Sequence, residues 1–341
     1  ALRDFFGGGG GFRGLGNPLW LGLGASVLLV VATRVPGLGK SVNGATRWLQ
    51  IDTSLIELTF QPSELLKWAC VIAVAWWCAQ RRAVIHRFWH GLGPPAALLV
   101  IACGLIVVED LGTAALIAAV GGALLLAGGA RVWQLAAFLP PAAGAAALAI
   151  LRQPYRIERL TTFLDPFRDP QGAGYHPIQG MLAFAEGGLT GSGLGQSVQK
   201  YYLPEDTTDF LFPIIAEELG VIGAGLVITL FVVILWSGFR VAADSRDSFG
   251  RLVALGVVLM LGAQAVMNIA VTTVVVPTKG IALPLVSAGG TGWVVTGFCL
   301  GLVAALDNAN ALEAEAAPAS ADASNSETAP ASVPAQPATP R

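Results

Sequence analysis

Charge is what this sequence has least of. Aspartate, glutamate, lysine and arginine together make up 12% of the chain, against roughly 25% in a soluble domain. With 54% hydrophobic residues and a mean hydropathy of +0.66, the composition excludes an ordinary water-soluble globule. Cysteine and histidine are also sparse. Cys70, Cys78, Cys103 and Cys299 lie inside apolar runs without metal-ligand spacing and read as small buried hydrophobes. His86, His90 and His176 form no pattern. The glycines of GSGLGQ (191–196) follow no strand, so they lack the context of a dinucleotide fingerprint and read as loop flexibility. The opening ALRDFFGGGGGF is not a signal peptide and reads as a linker or a splice. A net charge of -2 points to no partner, and nucleic acid is not expected.

What the chain does have is apolar length. A membrane-spanning helix needs about 20 mostly apolar residues. Such runs fall at 18–35, 63–80, 94–108, 112–130, 131–151, 210–236, 252–276 and 289–306. The expected fold is therefore an all-α polytopic membrane protein of about eight transmembrane helices. Pro94-Pro95 opens one span and Pro140-Pro141 kinks another. Arg81, Arg82 and Arg87, then Arg131, then Arg240, Arg246 and Arg251 fall on one side of this map, which marks that side as cytoplasmic. The extracytoplasmic side receives 36–62, the Glu109-Asp110 turn, a large loop at 152–209 and the 277–288 segment. The expected organisation is a glycine-rich segment 1–15, a membrane domain 16–308 and a disordered cytoplasmic tail 309–341, rich in Ala, Pro, Ser and Glu.

Several of the few charges gather at the extracytoplasmic edge. Arg152, Arg156, Arg159, Arg168 and Lys200 stand in the large loop against the positive-inside trend. Long loops tolerate such charge. Alternatively these cations meet an anion; Arg156 and Arg159, three apart, share a face of a helix and carry forks suited to phosphate. In FQPSELLKW (60–68), Pro62 and Glu64 suit a helix start. Lys67 lies further in, where it either pairs with Glu64 or snorkels to the interface. Arg47 beside Trp48 fits an interfacial anchor.

LPEDTTDF (203–210) crowds Glu205, Asp206 and Asp209 ahead of the next span. Asp206 and Asp209 fit a helix cap and first turn. Glu217 and Glu218 then follow at a depth where an acid must face a cavity or a cation. That helix is expected to line a polar cleft with Asp209 at its mouth, where a part-desolvated carboxylate can take a proton from a hydroxyl. In VPTKGIALPLVSAGGTG (276–292), proline and glycine interrupt a span, which is tolerated only beside a cavity or inside protein. Lys279 adds a cation there, and Ser287, Gly289 and Gly290 permit close approach of a chain or ligand. On these residues alone, a transporter and an enzyme both stand, each acting on a phosphorylated, lipid-embedded substrate.

In order along about 36–306, the stretches VNGATRWL, FQPSELLK, DLGTA, PYRIERLTTFLDPFRDPQGAGYHPIQ, GLGQSVQKYYLPEDTTDF, AEELG and PTKGIALPLVSAGG resemble the SEDS family (shape, elongation, division and sporulation) of bacterial peptidoglycan polymerases. GLGQSVQK and PTKGIALPL resemble its cell-division branch, FtsW, more than its rod-elongation branch, RodA. The family usually has ten spans, and two ahead of the SVNGATRW region are without a counterpart in this map. Three motifs depart from the family pattern: VEDLG at 108–112 where Gln-Pro-Asp-Leu-Gly is favoured, Thr207 where histidine is common, and SAGGTG where a tyrosine and serines are usual.

The resemblance implies a peptidoglycan glycosyltransferase at the outer face of the bacterial cytoplasmic membrane, acting in septal wall synthesis. Its substrate would be lipid II, a disaccharide-pentapeptide on undecaprenyl pyrophosphate. The acceptor 4-hydroxyl would attack the anomeric carbon with inversion to a β-1,4 link, releasing undecaprenyl pyrophosphate. Asp209 matches the family's catalytic carboxylate and is implied as general base. Arg47, Lys67, Arg156, Arg159, Lys200 and Lys279 are implied to hold pyrophosphate, Glu64 and Glu217 to position those cations, and Ser287 to line the substrate site. No cofactor is implied beyond a divalent cation at the leaving pyrophosphate, for which the carboxylates show no ligand spacing. Implied partners are a class B penicillin-binding protein and other divisome proteins. A lipid II flippase and a non-catalytic divisome scaffold are the alternatives.

Overall fold

The computed structural model describes residues 18–42, 45–52, 57–203 and 207–327. The glycine-rich start, the Asn43-Gly44 turn, Glu205, Asp206 and the last residues of the tail lie outside them. In chain order the elements are α1 (Pro18–Ala32), β1 (Gly39–Val42), β2 (Ala45–Asp52), β3 (Glu57–Phe60), α2 (Pro62–Gln80), α3 (Gly93–Ile106), α4 (Leu111–Ala127), α5 (Val132–Ala136), α6 (Leu139–Leu151), α7 (Pro154–Leu164), α8 (Tyr175–Gly187), α9 (Leu211–Asp244), α10 (Ser248–Thr272) and α11 (Gly290–Glu327). Each expected span corresponds to a helical segment. Among the described residues, five segments are long and apolar enough to cross a membrane, namely Phe88–Ile106, Val132–Leu151, Leu211–Asp244, Ser248–Thr272 and Gly290–Leu312; α1 and α4 are apolar but shorter.

Local chemistry sets the helix ends. Asp110 caps α4 by accepting from the Thr113 amide at 3.0 Å, and Asp247 caps α10 by accepting from the Gly250 amide at 3.0 Å. Pro140 and Pro141 sit in the first turn of α6, just after the break that divides the Val132–Leu151 span into α5 and α6. The core runs along α2, α4 and α10, with Leu66, Val74, Leu124 and Met260 fully buried. Lipid is as apolar as leucine, so close packing rather than water exclusion holds such helices together. A Cβ on Gly256 would lie 2.5 Å from Val71, so α10 and α2 meet through a small residue. In contrast, α6 buries none of its residues.

Two features go beyond the all-α reading. The first is a small antiparallel sheet, β1-β2-β3, with Lys40 opposite Trp48 and Leu49 opposite Phe60. Its strands are short and alternate poorly in sequence, although an Asn-Gly pair is a hairpin signal. The second lies in the large loop, which contains α7 and α8; α8 packs along α9.

The interior of α9 breaks at Gly220, whose φ of 68° and ψ of -166° are not helical. Residues 188–193 fill the break. The amides of Ser192 and Gly193 donate to the carbonyls of Glu217 and Glu218, while the amides of Val221 and Ile222 donate to the carbonyls of Gly188 and Leu189. The backbone groups freed by the break are thus satisfied by the inserted loop. Gly191, at φ 80°, is held against this break: a Cβ there would lie 2.1 Å from the Glu218 carbonyl. The expectation of loop flexibility fails at this residue, because its missing side chain makes room for backbone.

Candidate active site

One end of the bundle gathers the charges. The turn after α3 reaches the sheet, with the Thr46 amide donating to Glu109 Oε2 at 3.1 Å. The amide of Ala288 donates to the Thr207 carbonyl at 2.9 Å, and the amide of Gln61 to Thr291 Oγ1 at 3.1 Å. At the other end Arg82 donates to Ser248 and Gln134 to the His86 carbonyl. The arginine-rich loops therefore share the end opposite Asp209.

Asp209 lies in the turn before α9 and is half-buried. A Cβ built on Gly280 would come within 2.6 Å of its Oδ2, so the carboxylate rests on the backbone next to Lys279. Asp110, buried beneath α4's first turn, also binds the Thr113 hydroxyl at 2.7 Å and pairs with Arg47 at 4.0 Å. Arg47 Nε is buried without a hydrogen-bond partner among the described residues. A shallow cleft, partly open to solvent, lies beside Arg47 and is lined by Arg34, Thr46, Ser63, Glu109 and Asp110 among others.

Arg159 donates to the Thr278 carbonyl at 3.2 Å and stacks on Tyr155 at 5.6 Å. Arg159 is exposed, yet its guanidinium loses enough hydration for the pKa to fall below the ordinary arginine value. Tyr155, Asp209 and Asp110 oppose that shift, and Arg47 adds to it. Burial likewise lowers the pKa of half-buried Lys279; Asp110 pulls it up, and Arg156 and Arg159 push it down. Arg47, Asp110, Arg159, Lys279 and Asp209 thus form one electrostatic cluster.

The remaining expected residues occupy other places. Lys67 is buried and does not snorkel: its Nζ lies 2.7 Å from Glu64 and 2.7 Å from Gln264 Oε1. Arg156 is also buried, and its guanidinium donates to the carbonyls of Ala149, Val107 and Val108 and to the Tyr155 hydroxyl. It closes the ends of α3 and α6. Ser287 Oγ accepts from the Leu283 amide at 2.9 Å, inside the turn that precedes α11. Lys200 reaches the Gly195 carbonyl and lies 4.0 Å from Glu218.

Glu217 is fully buried, but neither cleft nor cation accounts for it. Its carboxylate accepts from Ser197 Oγ at 2.5 Å and from the amides of Val198 and Gln199 at 2.7 and 3.3 Å. The rule that a deep acid needs a polar partner holds, and here the partner is folded-back backbone. Sequence reading passed over Asp110 as a mere turn residue, and it passed over Gln264 and Asn268 altogether. The signal for the latter two was available: a polar pair four apart in an otherwise apolar helix. No group of three or more His, Cys, Asp or Glu able to hold a metal ion occurs among the described residues.

Fold and site together define a multi-pass helical membrane protein with an acid-and-cation cluster at one end of its bundle. A family model for the cell cycle proteins FtsW, RodA and SpoVE matches residues 16–312, and the chain belongs to that family. It is 41% identical over 297 residues to a probable peptidoglycan glycosyltransferase FtsW of Alkalilimnicola ehrlichii, covering 86% of this chain and 73% of that protein. The corresponding protein of Hahella chejuensis is 40% identical, with 83% and 72% covered. Among solved structures, a peptidoglycan synthase complex concerned with coordinating polymerization and crosslinking matches with a TM-score of 0.69 at 30% identity, over 90% of this chain and 82% of that one. The rod shape determining protein RodA of Thermus thermophilus matches at 0.61 and 27%, with 90% and 80% covered. These relatives agree with the SEDS resemblance and with its division branch.

Proposed function

We propose that the chain is a peptidoglycan glycosyltransferase that polymerises lipid II into β-1,4 glycan strands at the extracytoplasmic face of the bacterial cytoplasmic membrane, in septal wall synthesis. The observation that carries this reading is the gathering of two acids and three cations at one end of the bundle: Asp209 on the Gly280 backbone, Arg159 in the field of Asp209 and Asp110, Lys279 in that of Asp110, and Arg47 paired with Asp110. Asp209 accepts the proton of the acceptor 4-hydroxyl as the oxygen attacks the anomeric carbon of the donor strand. The configuration inverts, and undecaprenyl pyrophosphate leaves. Arg159, Lys279 and Arg47 offset the charge that grows on the departing diphosphate. A divalent cation can share that role. Lys67, Glu64, Arg156 and Ser287 hold the surrounding backbone, while Lys200 and Glu217 hold the loop that fills the α9 break.

The partner is a class B penicillin-binding protein within the divisome. Supporting this is the likeness to a synthase complex in which polymerization and crosslinking are coordinated. The decisive experiment incubates purified protein, alone and with that partner, with labelled lipid II. Glycan strands from the native chain and none from Asp209→Ala are expected. Equal polymer from both removes Asp209 from catalysis. Movement of lipid II across vesicles that survives Asp209→Ala, without polymer, turns the assignment to a transporter.

A further inference from the structure

We infer that Asn268 is the positioning residue that fastens the Asp209 backbone to the Gly280–Ile281 backbone and so places the Asp209 carboxylate. The inference rests on the reading of Asp209 as the base. Asn268 is buried at 1% exposure within α10. Its amide nitrogen has two hydrogens and uses both: one on the carbonyl of Asp209 itself at 2.9 Å, the other on the carbonyl of Ile281 at 2.6 Å. A single side chain therefore ties the backbone of the base to the backbone two residues beyond Lys279. Between those ties, Gly280 lies against Asp209 Oδ2 with no room for a Cβ.

Three further observations give the tie its role. First, Asn268 Oδ1 is buried without a hydrogen-bond partner among the described residues. An unmatched buried acceptor destabilises, and turning the amide over would set oxygen against two carbonyl oxygens. The residue is retained for its donors. Second, the segment between α10 and α11 carries Val274 at φ 57° and Leu285 at φ 64°, and a β-branched valine is disfavoured there. Backbone of this kind persists only when its surroundings hold it. Third, Gln264, one turn before Asn268, donates to the Ala282 carbonyl at 3.1 Å while its oxygen accepts from Lys67. Gln264 and Asn268 thus form a two-point clamp on residues 281–282, and only the Asn268 arm also holds Asp209. Charged groups near the clamp are Asp209 at Asn268 and the Lys67–Glu64 pair at Gln264; the Lys279 side chain runs over Gly112 beside Asp110.

The test measures lipid II polymerisation by the full chain with its transpeptidase partner, alongside thermal unfolding, for the native protein, Asp209→Ala, Asn268→Leu and Asn268→Asp. Leucine keeps the shape and removes the donors. Its kcat is expected to fall about 10- to 100-fold, the loss typical of a misplaced catalytic group. KM is expected to stay within about twofold; the unfolding temperature is expected to fall, since the Asp209 and Ile281 carbonyls lose their donors, so kcat is compared per folded molecule. In Asn268→Asp only the protonated carboxyl donates, so its activity relative to native is expected to rise as pH falls from about 8 to 6. Native kcat in Asn268→Leu, or a loss matched by the fraction unfolded, overturns the inference. If the leucine variant does not fold, a flat pH ratio for Asn268→Asp overturns it and a rising one supports it. Polymerisation by native protein and not by Asp209→Ala, with Asn268→Leu fully active, sinks the positioning role alone. Equal polymer from native and Asp209→Ala sinks the functional reading, and this inference with it.

Discussion

Two acid–lysine groupings flank the start of α9, and they are built for opposite purposes. Around Asp209 the carboxylate stays half-exposed, rests on Gly280 next to Lys279 in the chain, and acts with Asp110 on Arg159. Around Glu217 the carboxylate is sealed from solvent and fully occupied by Ser197, Val198 and Gln199. In sequence the two are alike, each an acid at a span's edge with a lysine in the neighbouring loop. The difference shows that ionisable groups at membrane depth serve either as unspent charge or as anchors for irregular backbone, and that burial with backbone donors separates the cases.

The sharpest way to break this contrast is Asp209→Ala. Polymerisation is expected to drop about 10³-fold, or ~4 kcal/mol in barrier, with thermal unfolding unchanged. Gly191→Ala should do the reverse. The added methyl meets the Glu218 carbonyl at a left-handed φ, so a loss of about 2–3 kcal/mol in stability is expected, read as a lower unfolding temperature. Glu217→Ala strips the acceptor from buried donors and should cost about 1–3 kcal/mol, with activity falling only as the folded fraction falls. A large kcat loss in folded Glu217→Ala would erase the distinction between the two groupings.

Lys279 gives a smaller, pH-dependent effect. Burial lowers its pKa from the ordinary 10.5, so the unfolded chain binds more protons in the window below that value. Stability should therefore rise with pH across the window, while activity that needs the ammonium should fall. Lys279→Arg, whose charge does not titrate there, is expected to hold activity at higher pH; Lys279→Ala should lose about tenfold at neutral pH. Smallest of all is Lys200→Ala: its 4.0 Å pair with Glu218 is partly exposed, so a change under about 0.5 kcal/mol is expected in unfolding measurements.

How far residues alone could be read varies with the kind of interaction. The apolar runs located every span and most helix starts, because about 20 apolar residues leave a helix few alternatives in lipid, but two helices run well past the expected ends, to Asp244 and Glu327. The Glu64–Lys67 pair was legible as well, since spacing along one helix is a local matter. Arg156 and Arg159 look interchangeable in PYRIER, yet one is buried on three carbonyls and the other stays open beside Thr278. What parts them is where α3 and α6 end, and no local pattern records that. The sheet was missed because its pairing links strands separated by turns. Asn268 was missed because its partners lie 59 and 13 residues away along the chain.

Apolar length and proline breaks were enough to dictate that this chain is a bundle of membrane helices, and its ordered motifs were enough to mark the family. Both follow from short-range physics: what a peptide does in hydrocarbon depends on the residues within a turn or two. Which carboxylate stays half-exposed, which arginine becomes a backbone staple, and what holds Asp209 against Gly280 were decided only when distant segments met. Desolvation and hydrogen bonding belong to that packed surrounding, and a residue's neighbours in space are not its neighbours in the chain.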